Sequence, residues 1–594
     1  MHLSHVQIIN FRNFAALDVA LDANVVMVGE NRVGKSNFIF ALRLVLDAAL
    51  SDAARQLKLT DIWDGCDLAT APEVQVHLDL SDFDDDVNLV ALLTDYRLAS
   101  DHTIARLSYV FRKKTDVASP PASEADYEFK VYGGGDETRS IRNEVRQRIC
   151  LDVLHALRDA EAELGTWRYS PLRPLLEDAI GKVSKADLDA VAVDVAAATT
   201  RLGALGPIKT LEADLRKEIA ELAGASQDIK ARLGFAPTDP LRLFRSIGLF
   251  IDDGKRGIVD ASLGSANLAL LTLKLVEFAW RRMKNERNYT IVCIEEPEAH
   301  LHPHLQRRVF QKLFLGDTAE PLGLFLTTHS PNIASVAPLC SIVLLKSTPD
   351  NGTQAFSLAR LELSDEELED LQRYLDTTRA EILFSRGVIF VEGYAEEALL
   401  PVFAKSCGHD LDELGVTVCS VGGVNFSPYV KLATALALPF AVITDWDPLD
   451  GTQPPLGRKR AIDLIDDIQQ TIGKGPLEAT KSATLEADDD HLREAGTNAG
   501  VFLNSSTFEL EIADSPALFT ALLSILEAEN FGTIRRKRLD QWRADPSTIN
   551  GEQLMAMVAD VGKGRLADRL AAKVVGLAPP GYIAAAINHV TANV

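Results

Sequence analysis

The sequence contains no long uncharged apolar run and no N-terminal export signal. None of its 594 residues belongs to an apolar stretch of about 18 residues, the length that begins to indicate a membrane-spanning helix. The opening, from Met1 to His5, lacks the basic, apolar and small-residue succession of a secretory signal. We therefore expect a cytoplasmic protein with no membrane partner.

Cysteines are few and widely separated. The six cysteines include no C-x-x-C pair, which disfavours a disulfide framework or a zinc ribbon, and we expect reduced core residues. Hydrophobic residues make up 47% and charged residues 25% of the chain, as in folded globular proteins, so a largely disordered chain is excluded. The length predicts several domains.

The chain has fewer basic than acidic residues. With 61 Lys+Arg against 85 Asp+Glu, the formal net charge is −24, and such a chain repels a phosphate backbone at long range. Clustered carboxylates that bind metal ions would account for part of this charge. Basic segments at Arg112–Lys114, Arg458–Arg460 and Arg535–Arg538 are candidate DNA contacts, with solvated surface as the alternative for each.

The periodicity of apolar residues changes along the chain. Between residues 144 and 240 it is mostly helical, beginning with Val145, Ile149 and Val153, and this predicts a helical insertion. Two interpretations stay open, a subdomain with its own core and a helix pair between subunits. From Gly387 onward, short apolar strands alternate with helices, which predicts a second parallel α/β unit beginning near residue 375.

A phosphate-binding motif follows the first buried strand. The segment G-E-N-R-V-G-K-S begins at Gly29 and satisfies G-x-x-x-x-G-K-S between a strand and a helix. The loop from Gly29 through Asn31 to Gly34 would cradle phosphates with its amides, Lys35 would reach the β- and γ-oxygens, and the Ser36 hydroxyl would bind Mg²⁺. This motif predicts a nucleoside triphosphate site.

A second apolar strand, Thr290 to Ile294, ends in two carboxylates. Glu295 can hold the magnesium-bound water, and Glu296 can orient or deprotonate the attacking water. Two histidines follow at i and i+4, His300 and His304. Proline interrupts the helical spacing between them and no third acidic ligand is evident, so zinc is disfavoured.

The order and spacing of these motifs resemble those of a known group. A large insertion separates Lys35 from Glu295, and the segments E-E-P-E-A-H-L-H-P and T-T-H-S follow. This arrangement resembles the ATPase heads of the SMC, RecF and OLD group in the ABC superfamily. The resemblance implies that His329 senses the γ-phosphate. It also implies that the segment Ser262–Asn267 reaches a partner's ATP across a head-to-head dimer, although Ala266 stands at a glycine position.

A second acidic constellation lies in the downstream unit. Glu392 ends one apolar strand, Asp445 and Asp447 end another, and Glu396 begins the helix after Glu392. In a parallel sheet these strand ends open on one edge, where ligands bind. Converging carboxylates repel one another unless cations are present, and ligation by oxygen alone suits Mg²⁺ or Mn²⁺.

These motifs together resemble the Toprim domain of topoisomerases, primases and OLD nucleases. T-F-E-L-E resembles the late acidic motif of OLD nucleases and K-G-R their lysine-glycine motif, which implies that Glu509 and Lys563 join the site. Solvated helix charges are the alternative for both residues.

The resemblance implies hydrolysis by two ions of Mg²⁺ or Mn²⁺. Glu392, Asp445 and Asp447 would hold one ion. Glu396 and Glu509 would hold the other, and Lys563 would neutralise the charge of the transition state.

We therefore expect an α/β chain of the OLD family, with an ABC/SMC-like P-loop ATPase domain joined to a Toprim nuclease domain. The ATPase domain spans 1–374, with its insertion at about 144–240 as the dimer contact. The Toprim domain, with C-terminal helical elements, spans 375–594. The expected function is that of an ATP-binding and ATP-hydrolysing, metal-dependent DNA endonuclease, acting as a homodimer in DNA repair or phage defence. The resemblance also implies a UvrD-like helicase as a partner, because genes of this family occur beside genes for such helicases. Two alternatives are an SMC/RecF-like DNA-binding protein without nuclease activity and a Toprim primase or topoisomerase.

Overall fold

The computed structural model describes most of the chain. The described residues are 1–117, 121, 123–155, 163–164, 166–168, 170–223, 233, 247–251, 255–258, 261–315, 322–348, 351–375, 379–448 and 454–594.

Strands and helices alternate through both halves. The strands are β1 (His2–Phe11), β2 (Phe14–Ala20), β3 (Val25–Gly29), β4 (Val74–Ser81), β5 (Ala105–Lys113), β6 (Tyr127–Gly133), β7 (Asp136–Ser140), β8 (Ile149–Leu154), β9 (Phe250–Ile251), β10 (Arg256–Gly257), β11 (Tyr289–Glu295), β12 (Leu322–Thr327), β13 (Ile342–Thr348), β14 (Gly352–Ser357), β15 (Gly387–Val391), β16 (Val416–Ser420), β17 (Phe440–Thr444) and β18 (Val501–Leu503).

The α-helices are α1 (Lys35–Leu46), α2 (Asp52–Arg55), α3 (Val87–Leu93), α4 (Asn143–Arg148), α5 (Leu172–Gly181), α6 (Lys185–Gly203), α7 (Gly206–Ala223), α8 (Leu263–Met283), α9 (Pro303–Leu315), α10 (Pro331–Ala334), α11 (Asp365–Tyr374), α12 (Tyr394–Ser406), α13 (Leu411–Leu414), α14 (Ser427–Ala435), α15 (Leu456–Thr471), α16 (Ala479–Ala487), α17 (Asp489–Ala499), α18 (Phe508–Asp514), α19 (Pro516–Ala528), α20 (Thr533–Ala544), α21 (Gly551–Val561), α22 (Lys563–Ala571) and α23 (Gly581–Thr591).

A 12-stranded sheet organises the N-terminal half. Its strand order is β7-β6-β5-β4-β1-β2-β14-β13-β3-β12-β11-β8. The segment β13-β3-β12-β11-β8 is parallel, and all of β3 is buried, as expected of a strand covered on both faces. The carboxyl ends of β3, β11 and β12 therefore lie along one edge, where the nucleotide motifs follow them.

Helices occupy part of the predicted insertion. Helices α5, α6 and α7 have the predicted periodicity, but the helical prediction is wrong at β8, which pairs in parallel with β11. Apolar residues four apart, such as Ile149 and Val153, fit a helix, but with Leu151 between them they also fit the alternation of a strand. Pairing with β11 stabilises the strand. Parts of the predicted insertion lie outside the described residues, namely 156–162, 165, 169, 224–232 and 234–240.

The C-terminal half contains a four-stranded sheet of order β16-β15-β17-β18. All three pairings are parallel, which confirms the predicted α/β unit. The chain after β18 is helical, and α18 to α23 contribute to an apolar core over one face of this sheet.

The two halves share one hydrophobic core. Val26 and Val28 of β3 belong to the same buried cluster as Val388 and Phe390 of β15. Because interior packing is dense and transmits displacement, the P-loop strand and the strand that carries Glu392 are mechanically connected.

The prediction of reduced core cysteines is confirmed for Cys293 and Cys419, which are buried and reduced, and is wrong for Cys340, which is reduced but exposed. Among the described helices, none alone combines the length and apolarity of a membrane span. The bent pair Lys185–Gly203 and Gly206–Ile219 reaches those values only when the two are taken together.

Candidate functional site

The P-loop connects β3 to α1 with glycines at two sterically demanding positions. Gly34 caps α1 with φ 105°, a conformation that favours glycine, and a Cβ on Gly29 would approach the Leu345 carbonyl oxygen to 2.5 Å. Lys35 Nζ donates to the carbonyl oxygens of Gly29 at 2.8 Å and Glu30 at 3.0 Å. The ammonium thus points into the loop, and burial lowers the pKa of Lys35 to about 8.

Asn13, at the turn between β1 and β2, braces this loop and is a residue that sequence reasoning missed. Its Nδ2 donates to the Val33 carbonyl oxygen at 2.6 Å and to Thr353 Oγ1 at 2.7 Å, and its Oδ1 accepts from Asn37 Nδ2 at 2.7 Å. A Cβ on Gly34 would lie 2.1 Å from Asn13 Nδ2. No motif links these distant positions, so only the folded chain reveals the contact.

The second strand brings its carboxylates toward this loop. Glu295 Oε2 lies 2.7 Å from His155 Nδ1, and Glu296 has φ 45° as the chain turns away from β11. Both Glu296 and Glu298 favour the charged form of Lys35 electrostatically. Glu296 therefore lies within electrostatic reach of Lys35.

His329 follows β12, and Glu298 holds its backbone in place. Glu298 Oε1 accepts from the His329 amide at 2.7 Å, and its Oε2 accepts from Thr328 Oγ1 at 2.8 Å. Burial and the nearby Lys35 charge lower the pKa of His329. The predicted sensor histidine thus lies within electrostatic reach of the P-loop lysine, and sequence reasoning missed Glu298 as its anchor.

The segment Ser262–Asn267 forms the start of α8, with Ser262 as its N-cap. A Cβ on Gly264 would lie 2.5 Å from the His300 carbonyl oxygen, so this segment contacts the turn after Glu296. His304, one of the histidines that follow Glu296, contacts a positively charged side chain: its Nδ1 lies 2.7 Å from Arg307 Nη2.

The Toprim site lies at the carboxyl edge of the four-stranded sheet. Glu392 follows β15, Asp445 and Asp447 follow β17, and Glu396 and Glu509 lie in the first turns of α12 and α18. Glu396 and Glu509 are both buried. The topology therefore brings the five predicted carboxylates to one region.

These carboxylates lie close enough to raise one another's pKa. Burial raises the pKa of Glu396 to about 8, with further repulsion from Asp445, Glu509 and Glu392. Burial raises the pKa of Asp445 to about 7, and Glu392, Asp447 and Glu509 add to the shift. Mutual repulsion within such a cluster favours cation binding.

A largely buried arginine lies among the predicted ligands. Arg460 Nη1 donates to Glu392 Oε1 at 3.0 Å, and its Nη2 donates to Asp447 Oδ2 at 3.0 Å. Its side chain is only 12% exposed. The interpretation of Arg458–Arg460 as a DNA-facing segment is therefore wrong for Arg460, whose guanidinium neutralises the carboxylates.

Lys563, which the family resemblance assigns to the site, contacts one of the predicted ligands. Its Nζ lies 2.7 Å from Glu509 Oε1. Burial opposes its charged form, but this contact raises the pKa of Lys563. The Lys563 side chain is nevertheless 58% exposed, so its part in the chemistry stays a prediction.

Asn504, directly after β18, positions Asp445 and was missed by sequence reasoning. Its Nδ2 donates to Asp445 Oδ1 at 2.5 Å, and its Oδ1 accepts from the Trp446 amide at 2.8 Å. The side chain is buried. A polar residue directly after an apolar strand at this edge is the only signal that the sequence offered.

The donor set fits Mg²⁺ or Mn²⁺, because the predicted ligand atoms are all carboxylate oxygens. Through the described parts of the chain, no three acidic, histidine or cysteine side chains already form a metal-binding group. Instead, Glu392, Asp445 and Glu509 each have one oxygen held by a protein donor. The other oxygen of each accepts no hydrogen bond from the described residues and remains available to a cation.

Comparison with known proteins identifies matching families in both halves. Residues 383–447 match the family described as overcoming lysogenization defect protein-like, TOPRIM domain. Residues 206–334 match the AAA ATPase domain, and residues 1–98 match a family of unknown function. The predicted pairing of an ATPase domain with a Toprim domain is confirmed.

Similar proteins extend over most of the chain. A Bacillus cereus protein named endonuclease GajA is 23% identical over 566 residues, which cover 89% of this chain and 92% of the relative. A Thermus scotoductus protein named OLD nuclease is 24% identical over 457 residues, covering 75% and 83%.

A solved structure, the C-terminal region of the Burkholderia pseudomallei OLD protein, is 35% identical and covers 35% of this chain and 97% of that chain, with a TM-score of 0.30. The family matches therefore show that the chain joins an ATPase domain, matched at residues 206–334, to an OLD-like Toprim domain, matched at residues 383–447.

Proposed function

We propose that this chain is an ATP-binding and ATP-hydrolysing DNA endonuclease that depends on divalent metal ions. The observation that carries the proposal is the cluster of five carboxylates and one lysine at the edge of the Toprim sheet. Relatives named endonuclease GajA and OLD nuclease support DNA phosphodiester hydrolysis as the reaction.

Two cations would share the five carboxylates. Glu392, Asp445 and Asp447 would hold one ion, and Glu396 and Glu509 would hold the second. Divalent ions bound there would supply an activated water and stabilise the leaving oxygen. The oxygen-only donors and their mutual repulsion support this assignment.

The residues around the ligands fix the directions in which they point. Glu392 Oε1 accepts from Thr444 Oγ1 at 2.6 Å and from the Asp445 amide at 2.9 Å, which leaves Oε2 to a cation. Asn504 orients Asp445 in the same way. Lys563 would stabilise the negative charge that develops on the phosphate oxygens in the transition state.

In the ATPase half, Lys35 would bind the β- and γ-phosphates, and the exposed Ser36 would bind the nucleotide Mg²⁺ together with Glu295. Glu296 would activate water, and His329 would contact the γ-phosphate. Glu296 favours the charged form of Lys35, and burial together with the Lys35 charge lowers the pKa of His329. These interactions with Lys35 support the two roles.

We place the boundary between the halves at residue 375 and the dimer contact on the insertion. The pair α6 and α7 exposes a set of large apolar side chains: Leu202, Leu205, Ile208, Leu211 and Leu215. Exposed apolar patches of this kind mark protein contacts, and a second copy is the partner that we propose. Action in DNA repair or phage defence, and association with a UvrD-like helicase, are proposed from family resemblance alone.

The test is cleavage of supercoiled plasmid with Mg²⁺ or Mn²⁺. We expect nicking by the wild type and by the control variant Glu413→Ala, which changes an exposed carboxylate of the same domain. Glu392→Ala should not nick, because it removes a proposed metal ligand. Absence of nicking by the wild type with every divalent ion, or equal nicking by Glu392→Ala, would refute the proposal. Primers or relaxed closed circles would instead indicate a primase or a topoisomerase.

A further inference from the structure

Tyr394 is an exposed aromatic residue in the middle of the Toprim site. It occupies the first helical position of α12, two residues from each of the proposed ligands Glu392 and Glu396. Its side chain is 54% exposed, and the other large exposed aromatic side chain among the described residues is Phe250, in the ATPase half. Nothing in the proposed two-ion hydrolysis uses this ring.

The ring is held in one orientation. Its hydroxyl donates to Asp568 Oδ1 at 3.0 Å, and a Cβ on Gly564 would lie 3.1 Å from Tyr394 Cδ1. Gly564 and Asp568 are one turn apart on α22, so the ring lies against this helix beside Lys563. The hydroxyl is engaged with Asp568, and what the residue offers to a ligand is therefore its apolar surface.

An exposed ring at an acidic site has a clear physical use. The carboxylates repel a phosphate backbone, whereas stacking between an aromatic ring and a base needs no charge complementarity and works with any base. A ring already fixed by Asp568 and Gly564 also loses little conformational freedom on binding.

We propose that Tyr394 stacks on a nucleobase beside the phosphodiester that the Toprim carboxylates attack. This inference rests on the proposed nuclease function and deepens it. Bases in an intact duplex are stacked on their neighbours, so a free base face requires an unpaired or extruded nucleotide. The substrate class is therefore DNA with an unpaired base next to the cleaved bond.

The experiment compares two DNA molecules and four proteins. A fully paired duplex and the same duplex with a single-base bulge are titrated by fluorescence anisotropy, with Ca²⁺ replacing Mg²⁺. The proteins are wild type, Tyr394→Phe, Tyr394→Leu and the control Phe250→Ala. Tyr394→Leu keeps apolar bulk but has no aromatic face.

We expect the wild type, Tyr394→Phe and Phe250→Ala to prefer the bulged duplex by roughly 5- to 150-fold, the range measured for one base–aromatic stack. Tyr394→Leu should lose this preference. Its affinity for the bulged DNA should fall by the same factor at every salt concentration, because stacking releases no counterions. A 2-aminopurine at the bulge should be quenched by the wild type and not by Tyr394→Leu.

Equal affinity of the wild type for both duplexes, or an undiminished preference in Tyr394→Leu, would overturn the proposal. Plasmid cleavage measured in parallel separates this failure from failure of the nuclease assignment. Metal-dependent nicking without a bulge preference would refute the role of Tyr394 alone.

Discussion

The contact between Asn504 and Asp445 provides a quantitative test of how the Toprim site is built. Asn504→Ala removes one hydrogen bond to a carboxylate and one to the Trp446 amide. A hydrogen bond to a charged group contributes about 1.5–3 kcal/mol and a neutral one about 1 kcal/mol. Because the Asn504 side chain is buried, we expect a loss of about 2.5–4 kcal/mol in the free energy of unfolding.

The same variant should weaken metal binding. Mutation of a residue that orients a metal ligand typically lowers metal affinity by about 10- to 100-fold. Asn504 fixes the direction of Asp445. Calorimetric titration with Mn²⁺ in the absence of nucleotide measures this change, and urea denaturation measures the stability.

The matched control is Asn530→Ala, which removes an exposed asparagine of the same domain that accepts from Arg536 at 3.3 Å. It should change neither quantity appreciably. If Asn504→Ala matched this control in both assays, the assignment of Asn504 as the residue that positions Asp445 would be refuted.

Three further predictions concern other parts of the chain. Lys35→Ala should abolish ATP hydrolysis and Glu296→Gln should retain bound ATP, in phosphate-release and filter-binding assays; normal turnover by both would exclude the assigned ATPase site. Arg460→Gln should lower the melting temperature without metal, because two carboxylates lose their cation, and Mn²⁺ should restore more stability than in the wild type; equal Mn²⁺ stabilisation would contradict the role of Arg460. Contact with Asp79 raises the pKa of His5, so the stability lost in His5→Gln should be largest below about pH 6.5 and should shrink as pH rises through the folded-state pKa. Denaturant titrations at several pH values measure this loss, and a pH-independent difference would count against it.

The sequence by itself determined the motifs and the strands that carry them. The P-loop after Val25–Gly29 and the carboxylates that follow β15 and β17 could be predicted because each belongs to a short segment. In such a segment, alternation, glycine and a strand terminus are local signals. The sequence also predicted that Glu392 and Asp445 share one edge of the sheet, because the carboxyl ends of parallel strands lie on the same side.

Tertiary structure decided the contacts between segments that are far apart in the chain. Asn13 contacts Thr353 across the P-loop, and Asn504 contacts Asp445. Arg460 lies largely buried between two proposed ligands, where the sequence had indicated a surface cation. The strand at Ile149–Leu154 likewise depended on its neighbour β11, because hydrogen bonds between strands override a weak helical period. Local sequence therefore specified which residues carry chemistry, whereas packing and long-range hydrogen bonding specified how those residues are oriented and neutralised.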